Sequence, residues 1–145
     1  MPQPTQVDPR GLRVVAGITA VVLAAVLVTP EPVNVLLLAI QGAVFAVAAL
    51  VGLNRSPWAV VFVKVVRPRI GPPAELEDSR PPRFAQFVGL GFTAVALVAF
   101  LSGAATLGYV ATGLALVAAL LNAVVGLCLG CELYLAFRRF TPANA

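Results

Sequence analysis

Four long apolar stretches constrain the fold of this chain more than any other feature of its sequence. They cover about residues 12–29, 33–53, 84–107 and 109–137, each close to the roughly 20 residues with which an α-helix crosses a bilayer. Of the 145 residues, 60% are hydrophobic and only 11% are charged. A chain this small cannot hide so much apolar surface in a core of its own. We therefore expect an all-α integral membrane four-helix bundle in a lipid bilayer, with residues 1–145 forming a single transmembrane domain.

The segments between the stretches predict how the helices connect. The third and fourth are separated by little more than Ser102, Gly103 and Gly108, which predicts a tight helical hairpin. No small-x-small cleavage site precedes Thr29, so we expect the first stretch to remain as a helix and not to be removed as a signal peptide. Small residues that recur every fourth position favour close helix packing in lipid. These are Ala16, Ala20 and Ala24, then Gly42 and Ala46, then Ala85, Gly89 and Thr93.

A shorter apolar element lies between the second and third stretches. Ser56 and Pro57 are a typical helix start, with a capping side chain followed by proline at the first helical position. The run over about residues 57–66 is too short to span a membrane. It predicts an interfacial helix at the membrane surface, and a buried re-entrant segment is the alternative. At helical spacing its apolar face is Trp58, Val61, Phe62 and Val65, and the prolines at 68, 72, 73, 81 and 82 predict an extended chain after it.

The basic residues predict the orientation in the membrane. All ten lie before the first helix, between the second and third, or after the fourth. The positive-inside rule then places both termini and the middle loop in the cytoplasm, as expected for a multi-pass protein of the cell (inner) membrane. Anionic lipid headgroups account for the pI near 9.8, and we expect no nucleic-acid partner. The ten residues are Arg10, Arg13, Arg55, Lys64, Arg67, Arg69, Arg80, Arg83, Arg138 and Arg139.

One cluster of residues carries recognisable chemistry. The chain has no histidine and two cysteines, Cys128 and Cys131, which are followed directly by Glu132. On a helix these three residues share one face, and they are the candidate catalytic residues. Seven residues separate Cys131 from Arg138, about 10 Å along a helix, which places the pair near the cytoplasmic headgroups. In that reducing compartment such a pair indicates redox or metal chemistry more often than a permanent disulfide.

The expected surroundings of the cysteines count against a self-activating thiolate. Near the C-terminus of a helix, in apolar surroundings and beside Glu132, the negative sulfur is disfavoured. The pair is therefore expected to be attacked by an activated thiol of another protein, first at Cys131, with Cys128 resolving the mixed disulfide. A disulfide at this spacing fits a regular helix poorly, so Gly126 and Gly130 would have to loosen the helix.

Several alternatives stay open for these residues. The cysteines are otherwise small packing residues, and Glu132 otherwise pairs with Arg138 or an arginine of the middle loop. Two thiolates and one carboxylate leave a tetrahedral ion incomplete within one chain, so we expect no metal site and no cofactor, while a homo-oligomer stays open. Asn122 is expected to make an interhelical hydrogen bond. Gln41 and Gln86 either line a polar path or are structural.

Three stretches of the sequence resemble a known family. They are Val7-Asp8-Pro9-Arg10-Gly11, the middle-loop segment 67–86 with Arg67-Pro68-Arg69-Ile70-Gly71-Pro72, Glu77-Asp78 and Pro81-Pro82-Arg83-Phe84-Ala85-Gln86, and Cys128-Leu129-Gly130-Cys131-Glu132-Leu133. Together they resemble small four-helix membrane proteins of actinobacteria that are classed as a domain of unknown function. Members are often encoded beside, or fused to, thioredoxin-like domains and sulfurtransferases. The resemblance implies a role in thiol redox or sulfur metabolism, with Cys128 and Cys131 at the matching positions.

Three functions follow as hypotheses from these observations. The leading one is a membrane dithiol that exchanges electrons or sulfur with a separate cytoplasmic thioredoxin-like protein or sulfurtransferase. The first alternative is a non-catalytic membrane subunit or scaffold, in which the small residues assemble a larger complex. The second is a transporter of a small sulfur species. The sequence leaves open whether the chain is an enzyme.

Overall fold

The protein is a bundle of four long helices with shorter elements gathered at one end. The computed structural model describes residues 6–140. In chain order the elements are β1 (Gln6–Val7), α1 (Pro9–Val28), α2 (Val33–Ala46), α3 (Pro57–Val61), α4 (Arg67–Ile70), β2 (Glu77–Asp78), α5 (Arg80–Leu101), α6 (Ala105–Val125) and α7 (Leu129–Phe140). A π-helical turn, Val47–Val51, prolongs α2, and another, Phe62–Val66, joins α3 to α4.

The four long helices confirm the predicted all-α fold. The first, second, fifth and sixth helices, counting the π-helical extension of α2, are each long and apolar enough to cross a membrane. They form a closed ring in which α1 contacts α2 and α6, and α5 contacts the same two helices. Neighbours are antiparallel because short turns join α1 to α2 and α5 to α6. The ring encloses a core of Leu23, Val26, Leu38, Ala96, Phe100, Ala111 and Ala115.

The outer surface of the bundle is apolar, as a lipid-facing surface must be. Val21 is 70% exposed, Val98 66% and Leu114 54%, and none of these lies near a charged residue in the sequence. A soluble protein rarely leaves large aliphatic side chains uncovered over so much of its surface. Lipid is the solvent that accounts for them.

Small residues bring the helices together as their spacing predicts. A Cβ atom added at Gly42 of α2 would lie 3.4 Å from Oγ1 of Thr93 of α5. One added at Gly89 would lie 2.6 Å from the ring of Phe45, so only glycine leaves room for that ring. Ala24, by contrast, is exposed and takes no part in the packing.

The segment between the second and third spans is helical from residue 57 to residue 70, beyond the predicted end at 66. Its start is as expected, since Oγ of Ser56 accepts a hydrogen bond from the backbone N–H of Ala59 at 3.2 Å. Of the predicted apolar face, Phe62 is buried against Gly11, while Val61 and Val65 are both exposed. The π-helical turn has more residues per turn than an α-helix, which rotates Val65 out of the predicted apolar face.

A buried hydrogen-bond chain ties this segment to the bundle. Nε1–H of Trp58 donates to Oε1 of Gln41 at 3.0 Å. Nε2 of Gln41, which is fully buried, donates to Oγ1 of Thr19 at 3.4 Å. Gln41 is therefore structural and joins α1, α2 and α3.

The N-terminal segment and the middle loop meet at the same end of the bundle. Gln6 and Val7 pair antiparallel with Asp78 and Glu77. Arg83 donates to the carbonyl oxygens of Ala49 at 2.6 Å and Leu50 at 3.1 Å, which caps the end of the second span. The predicted extended stretch is shorter than expected, because Pro68 lies in α4 and Pro81 and Pro82 lie in the first turn of α5, where proline is compatible with a helix.

The prediction of one continuous helix over residues 109–137 is wrong. α6 ends at Val125, and Gly126 adopts a left-handed conformation with φ of 75°. The N–H of Leu127 then bonds back to the carbonyl oxygen of Leu121 at 3.2 Å, which closes the end of the helix. The chain starts again as α7 at Leu129, so the cysteine motif lies at a junction between two helices.

Candidate functional site

The cysteine pair lies at the N-terminal end of α7. Cys128 is the residue before the helix, and its carbonyl oxygen accepts the N–H of Glu132 at 3.0 Å. Its Sγ atom accepts the N–H of Cys131 at 3.2 Å, as the side chain of a helix-capping residue does. The two residues form a disulfide, with their Cα atoms 5.1 Å apart. Both are half-buried.

This position reverses one part of the electrostatic expectation for the pair, the contribution of the helix dipole. The sequence places the cysteines near the C-terminus of a long helix, whereas they lie at the N-terminus of a new one. The helix dipole and the free N–H groups there favour negative charge on sulfur. Of the two glycines expected to loosen the helix, Gly126 breaks it and so frees Cys128 from helical geometry.

Gly130, between the cysteines, has a different role. A Cβ atom added there would lie 2.5 Å from Cβ of Ala85 and 2.6 Å from its Cα, so α7 lies directly against the backbone of α5. The ring of Phe84 extends the contact, with its centroid 5.7 Å from that of Tyr134 and 6.3 Å from that of Phe137. The cysteine pair is thus fixed to the start of α5.

The remaining surface of α7 is amphipathic. Its exposed apolar side chains recur at helical spacing, as in a helix that lies in a membrane interface. Four of them follow this spacing, namely Leu129, Leu133, Phe137 and Phe140, and a fifth, Leu135, is exposed outside it. α7 is therefore separate from the fourth candidate span, which is α6 alone, and it has the pattern of an interfacial helix.

Arg13 supports the junction from the neighbouring helix. Its Nη2 donates to the carbonyl oxygens of Val124 at 2.8 Å and Ala123 at 3.2 Å, at the end of α6. Its guanidinium carbon is 3.8 Å from the place of a Cβ atom at Gly126. A fixed positive charge therefore lies beside the linker that leads to Cys128. The sequence signals Arg13 only as a basic residue that orients the protein.

Glu132 is exposed in the first turn of α7, where a negative charge interacts favourably with the helix dipole. It forms no salt bridge with Arg138 or with any other residue of the described chain 6–140; the ion pairs found there are Asp8–Arg10 and Asp78–Arg80. The alternative of a paired, structural Glu132 is therefore not supported. The structure does bring Glu132 together with both cysteines at one helix end.

A large cavity opens beside the disulfide. Its volume is about 1110 Å³, and Cys128, Cys131 and Glu132 all line it. Its walls within the bundle come from all four spanning helices and are mostly apolar, and they include Val15, Ala16, Phe45, Phe92, Leu114, Ala115 and Ala118. At the end of the bundle where the N-terminal segment and the middle loop meet, here called the basic end, charged and polar side chains line the cavity. They are Asp8, Arg13, Asn54, Arg67 and Asp78. The disulfide thus borders a space that extends between the membrane-spanning helices.

Two amide side chains on the cavity wall have no hydrogen-bond partner in the part of the chain that the structure describes. They are Gln86 of α5 and Asn122 of α6. The expected interhelical hydrogen bond of Asn122 is therefore not found, and its side chain lines the cavity instead. Gln86 follows Ala85, which contacts Gly130, so it lies at the level of the cysteine motif. The sequence marks both amides as polar but gives no sign that they share a cavity.

The two carboxylates near the basic end of the cavity are held as anions by neighbouring arginines. Arg10 donates to Asp8 through Nη2 at 2.9 Å, and this hydrogen bond is the main reason that the pKa of Asp8 lies below its usual range. Arg80 lowers the pKa of Asp78 in the same way. Arg10 also donates to the carbonyl oxygen of Gly71 at 2.8 Å and so links the start of α1 to the middle loop.

The three stretches quoted from the sequence converge on this cavity. Its lining includes Val7 and Asp8, Arg67 and the 76–78 segment, Pro81 to Gln86 in part, and the whole cysteine motif. Residues 7–139, which span all three, match the family described as Domain of unknown function (DUF4395). The chain belongs to the DUF4395 family. No curated protein and no solved structure matches it. In this DUF4395 protein, the described residues hold no group of three or more Cys, Asp or Glu side chains placed to bind a metal ion.

Proposed function

We propose that Cys128 and Cys131 form a reversible redox centre that exchanges electrons or sulfur with a cytoplasmic thioredoxin-like protein or sulfurtransferase. The observation that carries the proposal is the position of the pair at a helix N-terminus, where the N–H of Cys131 donates to Sγ of Cys128. Packing cysteines need neither a helix cap nor a cavity beside them. The space of about 1110 Å³ beside the disulfide gives a reactant access to it.

In this proposal the two sulfur atoms have different tasks. A partner thiolate attacks Sγ of Cys131, the disulfide breaks, and its electron pair passes to Sγ of Cys128. That leaving thiolate is stabilised by the N–H of Cys131 and by the dipole of α7, and a stabilised thiolate leaves faster. A second partner thiolate then attacks the mixed disulfide and releases Cys131. The partner becomes a disulfide, the pair becomes a dithiol, and the two protons of the partner thiols pass to the pair.

Sulfur transfer uses the same two residues. The thiolate of Cys131 attacks the outer sulfur of a partner persulfide, and the partner leaves as a thiolate. Cys128 then attacks Cys131, and hydrosulfide departs as the disulfide forms. Glu132, exposed beside the motif, supplies or accepts the proton in either direction. Basic residues of the middle loop provide the docking surface for an acidic partner.

Trapping of a mixed disulfide tests this proposal. In the reverse direction of this exchange, the thiolate of Cys131 attacks the disulfide of an oxidised partner, and Cys128 resolves the mixed disulfide. In cells that express Cys128→Ser that resolving thiol is missing, and we expect Cys131 to retain a thioredoxin-like protein or sulfurtransferase in a complex that a reductant releases. Cys131→Ser is the matched control, since it keeps one cysteine but removes the attacked one. We expect at least tenfold less trapped partner with this control. Equal trapping by the two variants, or none by either, contradicts the proposal.

A further inference from the structure

The cavity beside the disulfide points to a second reactant that comes from the membrane. We propose that it binds a lipid-soluble quinone, which accepts two electrons from the Cys128–Cys131 dithiol. This inference rests on the proposed redox function of the pair and names the electron acceptor of the same site. Thiol exchange with a soluble partner needs only a surface, so the cavity requires an explanation of its own.

The size and lining of the cavity fit an amphiphilic ligand. Binding sites for small molecules usually measure about 300–1,000 Å³, and about 1110 Å³ leaves room for a ring and part of an isoprenoid tail. The walls contributed by Val15, Phe92 and Leu114 are apolar and belong to helices that span the bilayer. A ligand in contact with them is drawn from lipid and not from water.

The polar groups of the cavity fit the carbonyl oxygens of a quinone ring. The side chains of Gln86 and Asn122 line the space and have no hydrogen-bond partner among residues 6–140. Each carries an amide NH₂ that can donate to a carbonyl oxygen. Gln86 follows Ala85, which contacts Gly130, and Asn122 precedes Gly126 by four residues, about 6 Å along a helix, so both amides lie near the cysteine motif.

Oxidation of the dithiol requires an acceptor that takes up two electrons. Oxidation of the dithiol forms one S–S bond, breaks two S–H bonds and releases two electrons and two protons. A quinone takes up the same number, and its two carbonyl oxygens become hydroxyl groups. The products are one quinol and the Cys128–Cys131 disulfide, with no further reactant. Together with exchange at Cys131, this step carries electrons from a soluble dithiol into the membrane.

Reduced, purified protein in detergent tests the proposal under anaerobic conditions. The probe is decylubiquinone, whose ring carries no free position for thiol addition. We expect one quinone to be reduced for each disulfide formed. The loss of quinone absorbance measures the first quantity, and alkylation of the remaining thiols measures the second. Cys128→Ser, which cannot form the disulfide, should reduce no quinone above the rate in buffer.

Substitutions in the cavity distinguish the reduction of a bound quinone from reduction by random collision. Ala118→Phe fills part of the cavity, and Ala94→Phe places the same ring on the exposed side of α5. We expect the first to slow quinone reduction at least tenfold and the second to change it less than twofold. Gln86→Leu and Asn122→Leu should raise the quinone concentration needed for half-maximal rate several-fold.

Two results would overturn the quinone proposal. One is wild-type protein that reduces decylubiquinone no faster than Cys128→Ser. The other is equal rates for Ala118→Phe and Ala94→Phe, which would show that the cavity holds only lipid or detergent. If Cys128→Ser still traps a partner in cells, the exchange function stands without the quinone. If the quinone is reduced but no partner is trapped, the exchange proposal fails instead.

Discussion

Gly130 lies against Ala85 so closely that no side chain larger than hydrogen fits between α7 and α5. A Cβ atom at Gly130 would come within 2.6 Å of the Cα atom of Ala85, which belongs to the backbone and cannot turn aside. Because Gly130 stands between the two cysteines, the contact that holds α7 also fixes the disulfide on the cavity wall. The packing of α7 and the position of the disulfide therefore depend on the same residue, Gly130.

Gly130→Ala should move α7 away from α5. We expect the substitution to lower the free energy of unfolding in detergent by about 1–3 kcal/mol, as other enlargements at a close contact do. We also expect faster alkylation of the reduced cysteines, because they leave the protected wall. Thermal unfolding and timed alkylation with a maleimide measure the two effects.

Gly91→Ala is the matched control for that substitution. Gly91 lies in α5, and a Cβ atom added there meets nothing within 4 Å. Alanine is favoured over glycine inside a helix, so we expect equal or slightly higher stability and an unchanged alkylation rate. Identical behaviour of the two variants would show that α7 does not depend on the contact with Ala85.

Arg13→Ala should loosen the junction between α6 and α7. In the wild type, its guanidinium donates to the carbonyl oxygens of Ala123 and Val124. In the variant, these two oxygens lose their side-chain donor. The site is exposed, so we expect a modest stability loss of roughly 0.5–1.5 kcal/mol. Hydrogen exchange should rise several-fold at Gly126 and Leu127, whose N–H groups close α6.

Arg69→Ala provides the comparison for Arg13→Ala. Arg69 is exposed, and the described chain shows no hydrogen bond from its side chain. Removal of this charge should leave exchange at Gly126 and Leu127 unchanged. If both variants raise exchange equally, the effect comes from net charge and not from the cap.

The sequence reveals the four spanning helices because their apolar residues face lipid and leave a hydropathy signal of the right length. It does not reveal the break at Gly126. Leu127 and Leu129 keep the hydropathy high across the break. The sequence also does not distinguish a glycine in the left-handed conformation from a glycine inside a helix. A single isolated glycine inside an apolar run is common in membrane helices, so the residue alone could not signal an ending.

The chemistry of the site could be predicted only in part. Cys128, Cys131 and Glu132 stand out by residue type and spacing, and the structure brings them together. The sign of the helix-dipole contribution came out wrong, because it follows from which end of a helix the cysteines occupy. Gln86 and Asn122 lie far apart in sequence, and only the packing of α5 and α6 gives them a shared cavity.

Gln41→Leu should weaken the anchor of α3. The substitution keeps the size of the side chain but leaves Nε1–H of Trp58 without its acceptor and removes the donor to Thr19. Because the amide is fully buried, we expect a loss of about 1–3 kcal/mol. Trp58 is the single tryptophan, so its fluorescence emission reports the change directly.

Gln86→Leu makes the same exchange at an amide with no bonding partner within residues 6–140. We expect its unfolding free energy and Trp58 emission to match those of the wild type. A stability loss as large as that of Gln41→Leu would mean that Gln86 also holds the bundle together, and that the cavity amides are structural.

Acid should weaken the link between the start of α1 and the middle loop. Asp8 has its pKa lowered by the hydrogen bond from Arg10, so it binds its proton less readily in the folded chain than in the unfolded one. The resulting stabilisation is complete above the unfolded pKa of about 3.9 and is lost as the pH falls through the lowered value. Asp8→Asn keeps a helix-capping side chain but removes the ion pair, which makes it the informative variant. We expect its melting temperature to lie below that of the wild type at neutral pH, and the gap to narrow as the pH falls from about 4 through the lowered pKa of Asp8. Glu31→Gln removes an exposed carboxylate between α1 and α2 and is the control for the loss of one negative charge. A gap between wild type and Asp8→Asn that is the same at neutral and acid pH would mean that the ion pair with Arg10 contributes nothing to folding.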